Sequence, residues 1–320
     1  MSQYCVLIIN WNSWDVLSRC LGALSRQTFI DFDVVVADNA SEERPIQEVF
    51  ANHPNIIFVQ NEKNYGFAKA NNELLKICGK SEWIILLNPD AFPEPDWLEQ
   101  LVLFSARHPD YTFFGSRLLM AGDQTKLDGD GDKLNISGLA WRNGHGESPL
   151  QYSGANEIFS PCAAAAMYNR DALVAVGGFD EDFFCYLEDI DLGFRLRLAG
   201  HKCLLVPTAI VNHIGSATTG GQQGDFAVYY GHRNLVWTFV KNMPGILFWV
   251  FLPLHIGLNL FSLIWFTARG QRSVIFRAKR DALISIPAMW RKRRLIQSTR
   301  VATVSEILRV LDKRPVPWVR

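Results

Sequence analysis

Two groups of carboxylates in this chain are placed where they could do chemistry. Glu188, Asp189 and Asp191 fall within four residues and are entered from the aromatic run Phe183-Phe184-Cys185-Tyr186. Like charges this close repel unless burial or separate partners divide them by role. A carboxylate flanked by apolar residues and facing a crevice gains the raised pKa that a general base needs, and Asp189 is chosen on that ground. For Glu188 and Asp191 the alternative is stabilisation of a helix N-terminus. The second group is Asn88-Pro89-Asp90, which closes the hydrophobic run 83–87. A carboxylate there is costly unless a cation or hydrogen bonds meet it. A Mg²⁺ or Mn²⁺ ion bridging Asp90 to a diphosphate would do so, because such ions take one or two carboxylates and complete their shell with phosphate oxygens. A plain turn is the alternative reading of 88–90.

The elements that must position these groups follow from the apolar runs. Asn10-Trp11-Asn12 follows the run 6–9, Asp38-Asn39 follows 34–37, the polar cluster 61–64 follows 56–59, and Asn88 follows 84–87. Such runs, separated by segments of helical period, read as parallel strands covered on both faces by helices. Ligands of these sheets bind beyond the carboxyl ends of the strands. All four clusters fall on that edge, so Asn10, Asn12, Asp38, Asn64 and Asn88 converge on one crevice, and the expected ligand is a nucleotide. Asp38 could hold a base or ribose there, or, with Ser41, cap the next helix. The segment from Asn64 to Asn72 opens a helix at Gly66, where the backbone must approach something closely. Lys69 and Asn72 stand three apart on one face of it, either toward the crevice or toward solvent.

Helices are expected over 14–25, 45–51, 67–78, 96–106, 171–176 and 188–199, and further strands over 111–115, 163–169 and 203–207. Between 118 and 159 the pattern breaks into Gly, Asp, Asn and Ser, which reads as a long loop or a short hairpin excursion of the functional kind. With 320 residues, 48% hydrophobic and 20% charged, the chain can bury a full core as one large α/β domain with an appendage.

A net charge of zero hides an asymmetry. From residue 268 onward there are 14 Lys/Arg against 3 Asp/Glu, about +11, leaving 18 against 29, about −11, in the first 267 residues. An acidic body with a basic tail suits an anionic membrane surface; no recognised motif accompanies it for nucleic acid. Before the tail, residues 245–267 are apolar over about the length a bilayer span takes. Pro253, His255 and Asn259 interrupt the stretch, so an interfacial or re-entrant helix fits at least as well; a core helix is the alternative. The six cysteines are dispersed without a Cys-x-x-Cys pair and read as reduced core residues of a cytosolic protein. The first residues lack a basic n-region, so the cytoplasmic side of the membrane is expected.

Taken in order, Val6 to Ser13, Asp38 to Ser41, Asn64 to Asn72, Leu86 to Asp90, Gly177 to Phe184 and Tyr186 to Leu192 resemble family 2 of the inverting glycosyltransferases, in its bacterial rhamnosyltransferase-like branch. The likeness runs from about residue 5 to 242 and includes Leu127-Asp-Gly-Asp-Gly-Asp132, 137–142 and Tyr229-Tyr-Gly-His-Arg-Asn234. It implies a GT-A fold over 1–242, a Rossmann-like, mostly parallel sheet flanked by helices, followed by a membrane-associating apolar and basic helical appendage over 243–320. It implies a nucleoside-diphosphate sugar lying across Asn10, Asn12, Asp38, Asn64, Gly66, Lys69, Asn72 and Asn88. Mg²⁺ or Mn²⁺ would be held at Asp90 with His213, and Asp189 would deprotonate the acceptor hydroxyl. The acceptor would be a glycan or lipid-linked glycan of bacterial cell-surface polysaccharide synthesis, and the best-matching sugar is rhamnose from dTDP-rhamnose. The chain departs from the pattern at Asn88, where many relatives carry the first Asp of an Asp-x-Asp pair, so the metal would lean on Asp90. A dehydrogenase would need Gly-x-Gly-x-x-Gly where Asn10-Trp11-Asn12-Ser13 stands. A non-catalytic, membrane-associated nucleotide-sugar-binding protein is the remaining rival.

Overall fold

The computed structural model describes residues 2–43, 56–152, 154–215 and 224–314; the helix expected over 45–51 lies outside them. Strands β1 (Tyr4–Asn10), β2 (Phe32–Asp38), β3 (Ile56–Gln60) and β4 (Trp83–Leu87) pair in parallel in the order β3-β2-β1-β4. The aliphatic runs of β1 and β4 are buried on both faces, as continuous hydrophobic strands require, whereas β3 at the sheet edge is only partly buried, with Ile57 exposed. Helices α1 (Trp14–Leu24) and α2 (Gly66–Ile77) pack on this half through the fully buried Leu17 and Leu74, while α3 (Trp97–Arg107) lies on the strands Phe113–Met120 and Cys203–His213, where the buried Trp97 donates to Ser116 Oγ at 2.8 Å.

The second half of the sheet is mixed. β10 (Ala165–Asn169) runs antiparallel between β4 and β6 (Phe113–Met120), and β11 (Cys203–His213) lies parallel to β6. β5 (Ala91–Pro93) then pairs antiparallel with the far end of β11. β11 thus runs six residues beyond the expected stop at 207, past an irregularity between Val206 and Ile210. That extension is what carries His213 to the crevice.

The segment 118–159, expected as a loop or hairpin excursion, contains strands. β6 continues to Met120, β7 (Asp123–Asp130) folds back on it, and β8 (Asp132–Leu134) pairs with β9 (Ala140–Arg142). Glycine and aspartate are poor strand formers, which is why the alternation 128–132 conceals a strand.

Helices α4 (Arg170–Ala175) and α5 (Glu188–Leu198) lead to the C-terminal set α6 (Asp225–Asn242), α7 (Gly245–Ala268), α8 (Arg272–Ile284), α9 (Ile286–Ser298) and α10 (Val304–Val310). These helices share one core with α5: Phe183, Phe194, Leu235, Phe239, Phe248, Met289 and Ile307 pack together. α6 and α7 form an antiparallel pair. Phe239 near the end of α6 stacks on His255 at 4.0 Å between ring centroids, and His232 near its middle meets Phe266 at 4.6 Å. The opposite face of α7 is bare, with Trp249 61% and Ile264 70% exposed.

The expectation of six reduced cysteines is corrected. Cys5 on β1 and Cys78 at the end of α2 form a disulfide across 73 residues of sequence, while Cys20, Cys162, Cys185 and Cys203 are free. Packing of α2 on β1 brings the two sulfurs together, and no spacing rule reveals that.

Candidate active site

The strand ends β1 to β3 carry one web of amides around a carboxylate. Asp38 is 1% exposed. It accepts from Asn10 Nδ2 at 3.0 Å, Ser41 N at 3.0 Å, Ser41 Oγ at 2.5 Å and Gln60 Nε2 at 2.8 Å. Asn12, in a left-handed backbone conformation, donates its own N–H to Ser41 Oγ and accepts from Glu42 N, each at 2.8 Å. The web continues from Asn61 Nδ2 to Asn39 Oδ1 at 2.8 Å and from Asn39 Nδ2 to Asn64 Oδ1 at 3.3 Å. Asn10, Asn12, Asp38 and Asn64 therefore converge on one edge.

Gly66 couples this edge to the carboxylate group. It has φ +73°, and a Cβ there would come within 2.6 Å of the Phe184 ring and carbonyl. That carbonyl caps α2, accepting from Phe67 N at 2.7 Å and Ala68 N at 3.2 Å. Lys69 Nζ lies 4.7 Å from the Tyr65 ring centroid and 4.0 Å from Glu181. Asn72 is occupied elsewhere: its amide donates to Phe179 O and accepts from Phe179 N, both at 2.9 Å, and Gly178 leaves room for it. The structure thus uses Asn72 to clamp the 178–181 turn, not to face the crevice.

The run into α5 is held in an uncommon conformation. Phe184, Tyr186 and Leu187 have φ of 65°, 64° and 66°, each costing on the order of 1–3 kcal/mol unless the surroundings over-determine it. α6 does so: Asn234 Nδ2 donates to the carbonyls of Phe183, Cys185 and Tyr186 at 3.1, 2.9 and 2.7 Å, and Arg233 donates to Asp182 and Phe183. The turn launches α5 so that its first residues meet the sheet edge.

There the three carboxylates separate. Asp189 is half-buried; it accepts from Ala163 N at 3.2 Å and from Ile190 N at 2.8 Å. Burial pushes its carboxyl up, against the pull of those N–H groups and of Arg142. Glu188 is buried, with Oε2 lacking a hydrogen-bond partner, and burial and the Asp189 charge raise it well above the usual range. Asp191, considered above as a catalytic carboxylate, is corrected to an ion-paired core residue. It is fully buried, with Lys241 Nζ, Arg195 Nε and Asn242 Nδ2 each at 2.8 Å. Burial opposes its charge, but Lys241 and Arg195 outweigh that and hold it low. Two residues span about 200° of helix, which is why Asp189 and Asp191 face opposite sides.

Pairing of β5 with β11 sets Ala91 opposite His213 and lets Ile214 N donate to Asp90 O at 3.0 Å. Asp90 Oδ1 then stands 3.3 Å from His213 Nε2, and His213 Nδ1 is 2.7 Å from Asp128 Oδ2. Burial works against charge on all three, yet their mutual contacts raise His213 and lower Asp90 and Asp128. Asn88 is half-buried; its N–H donates to Ala164 O at 2.9 Å.

A divalent ion fits the Asp90–His213 pair. Asp128 takes the Nδ1 side of the ring, and Nε2 is buried without a hydrogen-bond partner. A carboxylate behind a histidine is the usual way to fix its tautomer for a metal. Asp132, Cys162 and Asp189 also bring ligand atoms within 4.8 Å of one another. Sulfur suits Mg²⁺ and Mn²⁺ poorly, and burial pushes the Cys162 thiol up, so that trio reads as the surroundings of the Asp189 carboxylate. Asp128, Asp132 and Arg142, which pairs with Asp128, received no role from residue patterns. The signal was the Asp-Gly alternation of 128–132 itself.

Residues 5–177, more than half of the chain, match the family Glycosyl transferase family 2. The chain belongs to that family. This family 2 glycosyltransferase is 26% identical over 240 residues to the N-acetylglucosaminyl-diphospho-decaprenol L-rhamnosyltransferase of Mycobacterium tuberculosis, covering 67% of this chain and 77% of that one. It is 27% identical over 263 residues to the pre-mycofactocin glycosyltransferase of the same species, covering 78% of this chain and 53% of the relative. Its fold is GT-A. The mannosyltransferase PcManGT from Pyrobaculum calidifontis, solved with GDP-Man and Mn²⁺, superposes with a TM-score of 0.58 at 16% identity over 97% of this chain and 87% of that one. GalNAc-T7 with UDP, GalNAc and Mn²⁺ gives 0.61 at 15% identity over 75% of this chain; the match spans about half of GalNAc-T7 (48%).

Proposed function

We propose that this glycosyltransferase transfers a sugar, with rhamnose from dTDP-rhamnose as the first candidate, to a lipid-linked glycan with inversion at the cytoplasmic face of a bacterial membrane. The observation that carries the reading is the buried Asp90–His213 pair together with the half-buried Asp189, whose carboxyl burial raises, the charge of Arg142 reaching both Asp90 and Asp189. The rhamnosyltransferase relative, whose name specifies a diphospho-decaprenol substrate, supports the sugar and the acceptor class.

In this reading Asn10, Asn12, Asn64 and Gly66 line the donor crevice, and Asp38 fixes their geometry. Asp90 and His213 would hold Mg²⁺ or Mn²⁺. When bound, the ion neutralises charge on the departing diphosphate. Asp189 takes the proton of the acceptor hydroxyl as its oxygen closes on the anomeric carbon. The Ala163 and Ile190 N–H groups aim the carboxylate, and burial keeps it basic. Donor turnover by the purified protein tests this: nucleotide-sugar hydrolysis and transfer, with and without Mn²⁺, over a panel of donors. Asp90→Ala is expected to abolish metal-dependent donor binding; equal donor affinity of variant and wild type at saturating Mn²⁺ would remove Asp90 from the metal site.

The membrane contact we assign to α7 and the basic helices after it. α7 is long and apolar enough to cross a bilayer, but one side of it, through Phe248, His255, Leu263 and Phe266, packs against α6. It would therefore lie in the interface with its bare face in the acyl boundary. Removing everything after 242 would uncover the shared core around Phe239 and Trp237, so the test uses the whole chain. Trp249→Ser/Ile264→Ser is expected to cut vesicle flotation several-fold without lowering Tm. Undiminished flotation would place the membrane contact elsewhere.

A further inference from the structure

Where α7 begins, the C-terminal helices form an open cavity of about 260 Å³ lined by Gly245, Trp290, Arg293, Arg294, Gln297 and Arg300. Three of the six are arginines, and no carboxylate is among these described lining residues. Arg293 is fixed by its own donations to Val240 O at 3.0 Å and Met243 O at 2.6 Å, with its guanidinium 4.6 Å from the Phe248 ring centroid. Arg300 Nη1 is buried without a hydrogen-bond partner. Burial and the Arg300 charge push Arg293 down to about 10. Concentrated positive charge with an unused buried donor is a site waiting for an anion.

The surroundings identify the anion. Immediately beside Gly245 are Ile246 and Trp249, 62% and 61% exposed, and Leu295 and Val301 flank the arginines at 69% and 73%. An anion held here would have apolar surface beside it, so its remaining part would be hydrocarbon. The sugar acceptor is a poor occupant. Asn242, next to this cavity, holds Asp191, on the side of α5 turned away from Asp189, so the cavity lies behind the catalytic helix. We propose that it binds the phosphate of an anionic phospholipid headgroup, fixing the orientation in which α7 lies on the bilayer. This rests on the membrane contact assigned above.

The test compares two double variants that remove equal charge. Arg294→Gln/Arg300→Gln alters the cavity; Arg291→Gln/Arg309→Gln removes two arginines outside its lining. Flotation is measured on phosphatidylcholine vesicles with and without one-fifth phosphatidylglycerol, together with Tm for each variant. Diffuse attraction weakens both doubles alike. A built site predicts that the cavity double loses at least about tenfold more affinity than the other, as expected for lost charge-assisted hydrogen bonds. Soluble dihexanoyl phosphatidylglycerol, read by fluorescence against a Trp290→Phe variant, should quench wild type and not the cavity double, while inorganic phosphate at the same concentration should leave both unchanged. Equal losses in the two doubles, or an equal response to phosphate, would overturn the site while leaving the membrane contact standing. Absence of wild-type flotation on either vesicle would overturn both.

Discussion

Asp189→Asn is expected to lower kcat by about 10²- to 10⁴-fold, the usual loss on removing a general base, the role proposed for it above, while donor affinity stays nearly that of wild type. The amide keeps the shape, and its one oxygen can accept from either Ala163 N or Ile190 N, which meet different oxygens of the carboxylate; neither group lines the donor crevice, which is left intact. What it cannot do is take the acceptor proton, an interaction realised in the transition state. The pH profile gives a second reading of the same group. The base works only when ionised, and burial raises Asp189, so the acid limb of kcat/KM lies above the ordinary aspartate value near 4. Single-turnover rates and donor titration of wild type and variant decide the matter. A variant retaining more than about a tenth of the wild-type rate moves the base to Glu188, since Asp191 is locked in ion pairs.

The second large effect is on stability. Lys241 is 1% exposed, contacts Asp180, and lies 2.8 Å from Asp191; Lys292 in turn meets Asp180 at 2.5 Å and Asp182 at 2.6 Å. This chain of charges ties α5 to the end of α6, the turn before Phe184 and α9. Lys241→Met should destabilise by about 3–5 kcal/mol, because removing one partner of a buried pair strands the other charges. Both Asp180 and Asp191 are held below their ordinary values despite burial, Asp180 by Lys241 and Lys292 and Asp191 by Lys241 and Arg195. A lowered carboxylate pKa contributes stability that is fully present above the unfolded value and is lost as pH falls through the folded one. The gap between wild type and variant should therefore be widest at neutral pH and shrink below about pH 4. Denaturant unfolding at the two pH values measures it; a neutral-pH difference below about 1 kcal/mol would make the network a surface-like pair of little weight.

The sequence by itself determined the first half of the sheet and its edge. Strands buried on both faces must be hydrophobic throughout, and their ends must turn polar, so Val6, Val34, Ile56 and Ile84 with the clusters after them are legible without coordinates. It also determined the family, through motifs kept in order, and the uneven charge of body and tail. What lies across the chain was decided only by the tertiary structure. Asp189 and Asp191 are alike on paper; the pitch of α5 sends one to the crevice and the other to Lys241. His213 meets Asp90 because β11 runs past an irregularity and β5 pairs with its end, a register no local pattern encodes. Asp128 and Arg142 join the site from strands whose glycines and aspartates hide them, and Cys5 finds Cys78 because α2 packs on β1. These are long-range pairings, set by the packing of whole elements, and local residue preference carries no record of them.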